Sequence, residues 1–132
     1  MTRSDKGIWK CIFFIYIAAV LFCCFWHFND FPKPPAIFLG IPVDKAVHFA
    51  MFFPFPFLAW LAFDRFTVKP WQSIVFVLIS FLAGCLLAAF TEAGQSLTSY
   101  RNGDILDFTA DVISLAVSSL IVLFIDIRKQ EK

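Results

Sequence analysis

Charged side chains are scarce in this chain. Lysine, arginine, aspartate and glutamate make up 16% of its 132 residues, whereas hydrophobic residues make up 60%. A soluble domain has about 25% charged residues, and so little polar surface cannot shield so much apolar material from water. The mean hydropathy of +0.78 agrees with this view. The composition therefore excludes an ordinary soluble protein and predicts a single integral membrane domain over residues 1–132.

The chain also lacks a large net charge and the usual sequence signatures of bound cofactors. Its formal net charge is +1, which gives no electrostatic support to nucleic-acid binding. The two histidines and four cysteines do not form a metal-binding or redox motif, and the cysteines all lie inside apolar runs. There is no nucleophile motif and no phosphate-binding loop. We therefore predict no nucleic-acid partner, no metal site and no cofactor.

Long apolar runs, by contrast, occur in four places. They cover residues 7–28, 46–63, 71–90 and 105–127. Each can cross about 30 Å of hydrocarbon as a helix, so the fold class is predicted to be an all-α bundle of four transmembrane helices. The first run ends in bulky aromatic residues rather than in a small-residue cleavage site, and we interpret it as an uncleaved span. Pro54 and Pro56 each remove a backbone donor, which predicts a kinked or broken second helix.

Basic residues are distributed unequally between the two sides that these spans define. Eight lie before or at the start of span one, between spans two and three, or after span four: Arg3, Lys6, Lys10, Arg65, Lys69, Arg128, Lys129 and Lys132. Three lie in the other two loops: Lys33, Lys45 and Arg101. Because cytoplasmic loops are enriched in lysine and arginine, the asymmetry predicts that both termini are cytoplasmic. The first and third loops are then predicted to face outward.

Three separate segments place polar side chains at the outward end of the predicted spans. The nine residues are Asp44, Lys45, His48, Glu92, Gln95, Arg101, Asp104, Asp107 and Asp111. Ionised groups in hydrocarbon cost several kcal/mol unless they are paired or hydrated. We therefore expect these side chains to face one another, and we predict that they form one polar binding cluster.

Helical spacing supports this prediction. Asp104, Asp107 and Asp111 are related as i, i+3 and i+7, which places all three on one face of a helix. Asp44 and His48 are related as i and i+4, so they also share a face. The remaining members lie at the ends of neighbouring spans.

Most of these residues also have an ordinary structural interpretation. Asp44 and Asp104 can cap the helices that follow them. Lys45 can extend to lipid headgroups. Asp107 lies inside a span, and it can pair with Lys45 or Arg101 solely to hold two helices together. The sequence leaves these alternatives open.

The order and spacing of the polar motifs resemble the VanZ-like family of small bacterial membrane proteins. The resemblance rests on three motifs: Asp44-Lys45-x-x-His48-Phe49, Thr91-Glu92-x-x-Gln95 and Arg101-x-x-Asp104-x-x-Asp107-x-x-x-Asp111. It implies a multi-pass protein of the bacterial cytoplasmic membrane and a link to reduced teicoplanin susceptibility, without implying a particular reaction. The family more usually has Asn at the position of Asp111 and Gly at the position of Ser114. These departures put equivalence of activity in doubt.

Three functions are compatible with an outward polar cluster. The first, which we favour, is binding or modification of an envelope-lipid headgroup or a lipoglycopeptide. In it, Lys45 and Arg101 would suit anionic groups, and the acids would suit hydroxyl or ammonium groups. The second is an intramembrane enzyme in which His48 and the carboxylates act as general acids and bases. The third is a proton-coupled lipid transporter. Hard-cation binding by the carboxylates is a further alternative.

Overall fold

The structure is a computed structural model, and it describes residues 3–26, 37–63, 68–98 and 103–132. Within these ranges the chain forms helices α1 (Arg3–Phe25), α2 (Val43–Phe52), α3 (Phe55–Phe63), α4 (Pro70–Ser96) and α5 (Ile105–Gln130), and a hairpin of β1 (Ile37–Phe38) and β2 (Ile41–Pro42). Among the described residues, four segments are long and apolar enough to cross a membrane: α1, α2 together with α3, α4, and α5. The predicted four-span helical bundle is confirmed, and the chain is a multi-pass membrane protein. Which end faces the cytoplasm stays a prediction.

The helices extend beyond the apolar runs at the end of the bundle that holds Lys45. α2 begins at Val43 rather than at residue 46, and α4 continues to Ser96 rather than ending at residue 90. The last turns of α4 remain helical although they contain Glu92 and Gln95, because both side chains are buried against other parts of the protein. The cluster residues of α2 and α4 therefore lie on regular helices and not on loops.

The second span is broken at the point that its prolines predict. α2 ends at Phe52, and α3 begins at Phe55. Pro54 and Pro56 have no N–H groups, so neither can donate to the carbonyl oxygen one turn earlier. The two halves of this span are consequently two separate helices.

Side chains of other helices satisfy carbonyl groups next to this break. The Ser114 hydroxyl of α5 donates to the Phe49 carbonyl oxygen at 2.6 Å. The Tyr16 hydroxyl of α1 donates to the Met51 carbonyl oxygen. The Phe49 carbonyl oxygen also accepts the Phe53 N–H at 3.1 Å, so the Ser114 hydroxyl is a second donor to it. The broken span is thus tied to α5 on one side and to α1 on the other.

A tight hairpin turn precedes α2. Leu39 and Gly40 both have positive φ angles, of 53° and 80°, the conformation that a two-residue hairpin turn requires. Glycine adopts this conformation without steric cost. β2 runs directly into α2, so the hairpin fixes where α2 begins and therefore where Asp44 and Lys45 lie.

The apolar core lies where the spans cross. α5 packs against α2, α3 and α4, and α1 packs against α3 and α4. α4 and α5 lie close together at Gly84, where an added Cβ would lie 2.6 Å from a methyl carbon of Leu115 and 3.2 Å from the ring of Phe55. A small residue at this position allows two helices to approach closely, as is common between membrane helices.

We expect Gly84→Val to lower the stability of the protein by about 1–3 kcal/mol, the usual cost of overpacking a core. Leu115 is completely buried, and buried side chains are close-packed, so the added methyl groups have to displace its neighbours. Gly7→Val is the matched control, because an added Cβ at Gly7 would meet no atom within 4 Å. Thermal unfolding of both variants in detergent measures the difference. Equal unfolding midpoints would show that α4 and α5 are not closely packed at Gly84.

Candidate functional site

Lys45 lies among three carboxylates. Its Nζ atom is 3.2 Å from Asp44 Oδ2, 2.9 Å from Asp104 Oδ2 and 2.8 Å from Asp107 Oδ1. An ammonium group has three N–H donors, so these three acceptors use all of them. Lys45 therefore links α2 to the start of α5, and it does not extend towards lipid headgroups. Of the two partners predicted for Asp107, Lys45 is the one observed.

Asp104 caps α5, whereas Asp44 does not cap α2. The Asp104 side chain accepts a hydrogen bond from the Leu106 N–H at 2.8 Å. This N–H and the Lys45 ammonium hold the pKa of Asp104 below its ordinary value, because both stabilise the carboxylate. The N-cap position of α2 is Pro42. Asp44 lies instead in the first turn, where the positive end of the helix dipole favours an acid.

His48 lies one turn deeper on α2 and is buried. Its Nδ1 atom is 3.2 Å from both carboxylate oxygens of Asp111, which is completely buried on α5. An ionised carboxylate can only accept, so Nδ1 carries the hydrogen in this contact. Nε2 is then the unprotonated nitrogen of the neutral ring, and it lies 3.8 Å from Asp107 Oδ2.

Glu92 brings α4 into the same group. Its Oε2 atom accepts a hydrogen bond from the Asp104 N–H at 2.9 Å. Its Oε1 atom lies 3.8 Å from His48 Nδ1. Oε1 is fully buried and has no hydrogen-bond partner among the residues that the structure describes. Buried carboxylate oxygens are normally satisfied, so this atom is an exception within the cluster.

Gly103 permits the close approach of the loop to α4. An added Cβ at this position would lie 2.9 Å from the Glu92 carbonyl oxygen. This distance is shorter than ordinary contacts allow, and the obstructing atom belongs to the backbone of a helix. Glycine at this position therefore lets the Asp104 N–H reach the Glu92 side chain.

Seven of the nine predicted site residues converge, and we name them the Lys45–His48 cluster. Its members are Asp44, Lys45, His48, Glu92, Asp104, Asp107 and Asp111. Arg101 lies outside the described residues. Gln95 is buried nearby, but its amide donates to the Cys24 carbonyl oxygen at 3.0 Å. It thereby satisfies a carbonyl in the last turn of α1.

An open groove lies beside the cluster, between α4 and α5. Its volume is about 320 Å³, and its walls include Ala89, Ala93 and Phe108. Glu92 and Asp104 also line it, so the groove connects an apolar surface with two carboxylates of the cluster. An amphipathic molecule fits such a surface better than a purely polar one.

The sequence analysis missed a second group of buried polar residues at the opposite end of the bundle. Asp126 of α5 accepts hydrogen bonds from Trp60 Nε1 at 2.9 Å and from the Ser73 hydroxyl at 2.6 Å. Gln130 Nε2 lies 2.6 Å from Ser73 Oγ. These contacts join α3, α4 and α5. The signal that could have found Asp126 is an ionisable residue inside the last predicted span, residues 105–127.

Comparisons of the chain with family models, with curated proteins and with solved structures found no match. The resemblance to the VanZ-like family therefore stays a prediction. The functional argument depends on the geometry of the Lys45–His48 cluster and of the groove beside it.

We expect Asp111→Ala to destabilise the protein by about 1–3 kcal/mol, because the buried His48 N–H would lose its acceptor. Asp111→Asn keeps an acceptor oxygen at the same position, so this variant should retain most of the stability. Thermal unfolding in detergent compares the two. If the Ala variant is as stable as the Asn variant, the contact between His48 and Asp111 does not stabilise the fold.

Proposed function

We propose that this protein recognises an envelope-lipid headgroup or a lipoglycopeptide at the outer face of the bacterial cytoplasmic membrane. The observation that supports the proposal is the Lys45–His48 cluster itself. Seven polar side chains from the α2, α4 and α5 segments meet at one end of the bundle, beside the groove between α4 and α5. A headgroup would contact the cluster, and an acyl chain would lie in the groove.

The basic residues support an orientation with the cluster outside. Lys10, Arg128 and Lys129 lie at the end of the bundle opposite to the cluster, and each contacts an aromatic ring there. Such amphipathic contacts are typical of the membrane interface. Together with the unequal distribution of lysine and arginine, they favour cytoplasmic N and C termini.

The charge of the cluster favours a ligand that donates hydrogen bonds. All three donors of Lys45 are used by carboxylates, so Lys45 is not available to a phosphate. The side chains of Asp44 and Asp104 are 51% and 39% exposed, and they can accept further hydrogen bonds. Sugar hydroxyls and ammonium groups match these acceptors. We therefore propose a glycosylated or aminated headgroup rather than a phosphate group as the part that is recognised.

The resemblance to the VanZ-like family supports a cellular role in glycopeptide susceptibility. A lipoglycopeptide such as teicoplanin combines hydroxyl and amine donors with an acyl chain. We propose that expression of this chain in a susceptible bacterium lowers its susceptibility to teicoplanin, and that the effect requires the Lys45–His48 cluster.

The pair of His48 and Asp111 favours an intramembrane enzyme as the second candidate. A buried carboxylate that holds Nδ1–H leaves Nε2 able to take a proton from a bound hydroxyl group. Enzymatic modification of a bound headgroup would then occur beside Asp107 and Glu92. Turnover of a lipid that depends on His48 would distinguish catalysis from binding alone.

The orientation can be tested with a single cysteine at Leu39, at the exposed tip of the hairpin, in a variant without the native cysteines. A membrane-impermeant thiol reagent should label this cysteine in intact cells, because the hairpin lies at the same end as the cluster. A reporter that is active only in the cytoplasm should work when fused after Lys132. Labelling only after permeabilisation would reverse the orientation and exclude an outward-facing site.

Asp107→Asn separates a binding role from a purely structural one. Lys45 keeps its contacts with Asp44 and Asp104, so we expect a stability loss of at most about 1 kcal/mol, the scale of one hydrogen bond. Native mass spectrometry of protein in nanodiscs should show a hexosyl diacylglycerol bound in preference to phosphatidylglycerol. Asp107→Asn should abolish this preference, together with any change in teicoplanin susceptibility.

Asp126→Asn is the matched control for this experiment. It also neutralises a buried acid of α5, but at the end of the bundle away from the cluster, so lipid preference should persist. A folded Asp107→Asn protein with an unchanged lipid preference would contradict the binding role. A variant that no longer folds would assign Asp107 to the scaffold.

A further inference from the structure

Asp107 belongs to two groups of three possible cation ligands. One group is Asp44, Asp104 and Asp107, and the other is His48, Glu92 and Asp107. In each group, one ligand atom per residue lies within 4.8 Å of the others. The two carboxylate oxygens of Asp107 belong to different groups. Oδ1 contacts Lys45 in the first group, and Oδ2 faces His48 Nε2 in the second.

The first group already has its cation. Lys45 Nζ lies 2.8 to 3.2 Å from all three carboxylates. An ammonium ion at this position satisfies the group and excludes a metal ion from it. The first group therefore shows how this fold compensates three converging carboxylates.

The second group has no lysine or arginine in the part of the chain that the structure describes. Its one basic group is the His48 imidazole, which three carboxylates share, and even a protonated imidazole supplies one positive charge to these three. Glu92 is only 9% exposed, and its buried Oε1 atom points at His48 without a hydrogen-bond donor from any described residue. The buried carboxylates Glu92, Asp107 and Asp111 surround one imidazole. A buried carboxylate oxygen without a partner costs more than a typical hydrogen bond contributes, so this oxygen points to a missing cationic partner.

His48 is oriented as a metal ligand is. In metal sites, the histidine that binds the ion usually donates its other ring N–H to a carboxylate, which fixes the tautomer and raises the basicity of the ligand nitrogen. Asp111 occupies that position at Nδ1 of His48. The remaining nitrogen, Nε2, faces Asp107 Oδ2 at 3.8 Å. Ligands about 2.1 Å from a tetrahedral ion lie about 3.4 Å apart, so this pair needs only a small contraction. The Glu92 side chain has to move further, because the ligand atoms of the group lie within 4.8 Å of one another.

From these contacts we propose that His48, Glu92 and Asp107 bind one divalent transition-metal cation, such as Zn²⁺ or Mn²⁺. One imidazole nitrogen and two carboxylate oxygens suit these ions better than Mg²⁺ or Ca²⁺, which prefer oxygen ligands alone. Three protein ligands leave a coordination position open, as in catalytic rather than structural zinc sites. The ion would also offset the excess of carboxylates. The proposal does not depend on which headgroup the cluster recognises.

The test uses the full-length protein in nanodiscs after treatment with a chelator. Isothermal titration with ZnCl₂ and with MnCl₂ should show one saturable site per chain, and MgCl₂ and CaCl₂ should bind at least tenfold more weakly. Glu92→Gln, Asp107→Asn and His48→Gln should each weaken binding at least tenfold. Asp111→Asn should weaken it less, because it orients His48 without binding the ion. Asp126→Asn, at the other end of the bundle, should bind as the unmodified protein does.

Thermal unfolding of Glu92→Gln distinguishes metal binding by Glu92 from a purely structural role of this residue. In chelator, this variant should be at least as stable as the unmodified protein, because it lacks the unpartnered carboxylate. Added ZnCl₂ should raise the unfolding midpoint of the unmodified protein only, so the order of stability reverses.

Three results would overturn the proposal. They are the absence of saturable binding of both Zn²⁺ and Mn²⁺, unchanged affinity in Glu92→Gln, and a preference for Mg²⁺ or Ca²⁺. Lipid preference measured in the presence of chelator tests the headgroup proposal separately, so failure of one proposal can be distinguished from failure of the other.

Discussion

The position of the Lys45 ammonium group among three carboxylates is the constraint on which the polar end of the bundle depends. An ionised group within a membrane needs a partner because hydrocarbon provides none. At 2.9 and 2.8 Å, the contacts of Lys45 with Asp104 and Asp107 tie α2 to the start of α5. Once the two helices are fixed in this way, the next turn of α2 places His48 against Asp111, and the second oxygen of Asp107 faces the imidazole. The remaining contacts of the cluster follow from this register.

Much of the fold could be predicted from the sequence because a membrane permits few structures. The lengths of the apolar runs define the spans, since each backbone must satisfy its own hydrogen bonds as a helix. Pro54 likewise defines the break in the second span through the donor that it lacks. The ends of the helices were harder to predict, because hydropathy does not detect the buried polar contacts of Glu92 and Gln95. These contacts keep α4 helical as far as Ser96.

The convergence of the acids was predictable, whereas their individual partners were not. Helical spacing shows that Asp104, Asp107 and Asp111 share one face, but it does not show which neighbour that face meets. The sequence offered Lys45 as a ligand for anions, but in the structure its donors are all used within the cluster. Gln95 was predicted as a cluster member, yet its amide bonds to the backbone of α1. Which partner each side chain contacts depends on how the helices are rotated and packed against one another. The local sequence around a residue does not specify this.

The position of α5 in the chain has a consequence for how the protein enters the membrane. A helix with Asp107, Asp111 and Asp126 on its buried face is poorly suited to pass by itself from the insertion machinery into the bilayer, because lipid would surround those acids. Their observed side-chain partners on other helices, among them Lys45 and Trp60, all precede α5 in the sequence. During synthesis from the N terminus, each of these partners is translated before α5. The order of the elements therefore gives the helix that carries these three acids a set of partners already synthesised, against which it can pack.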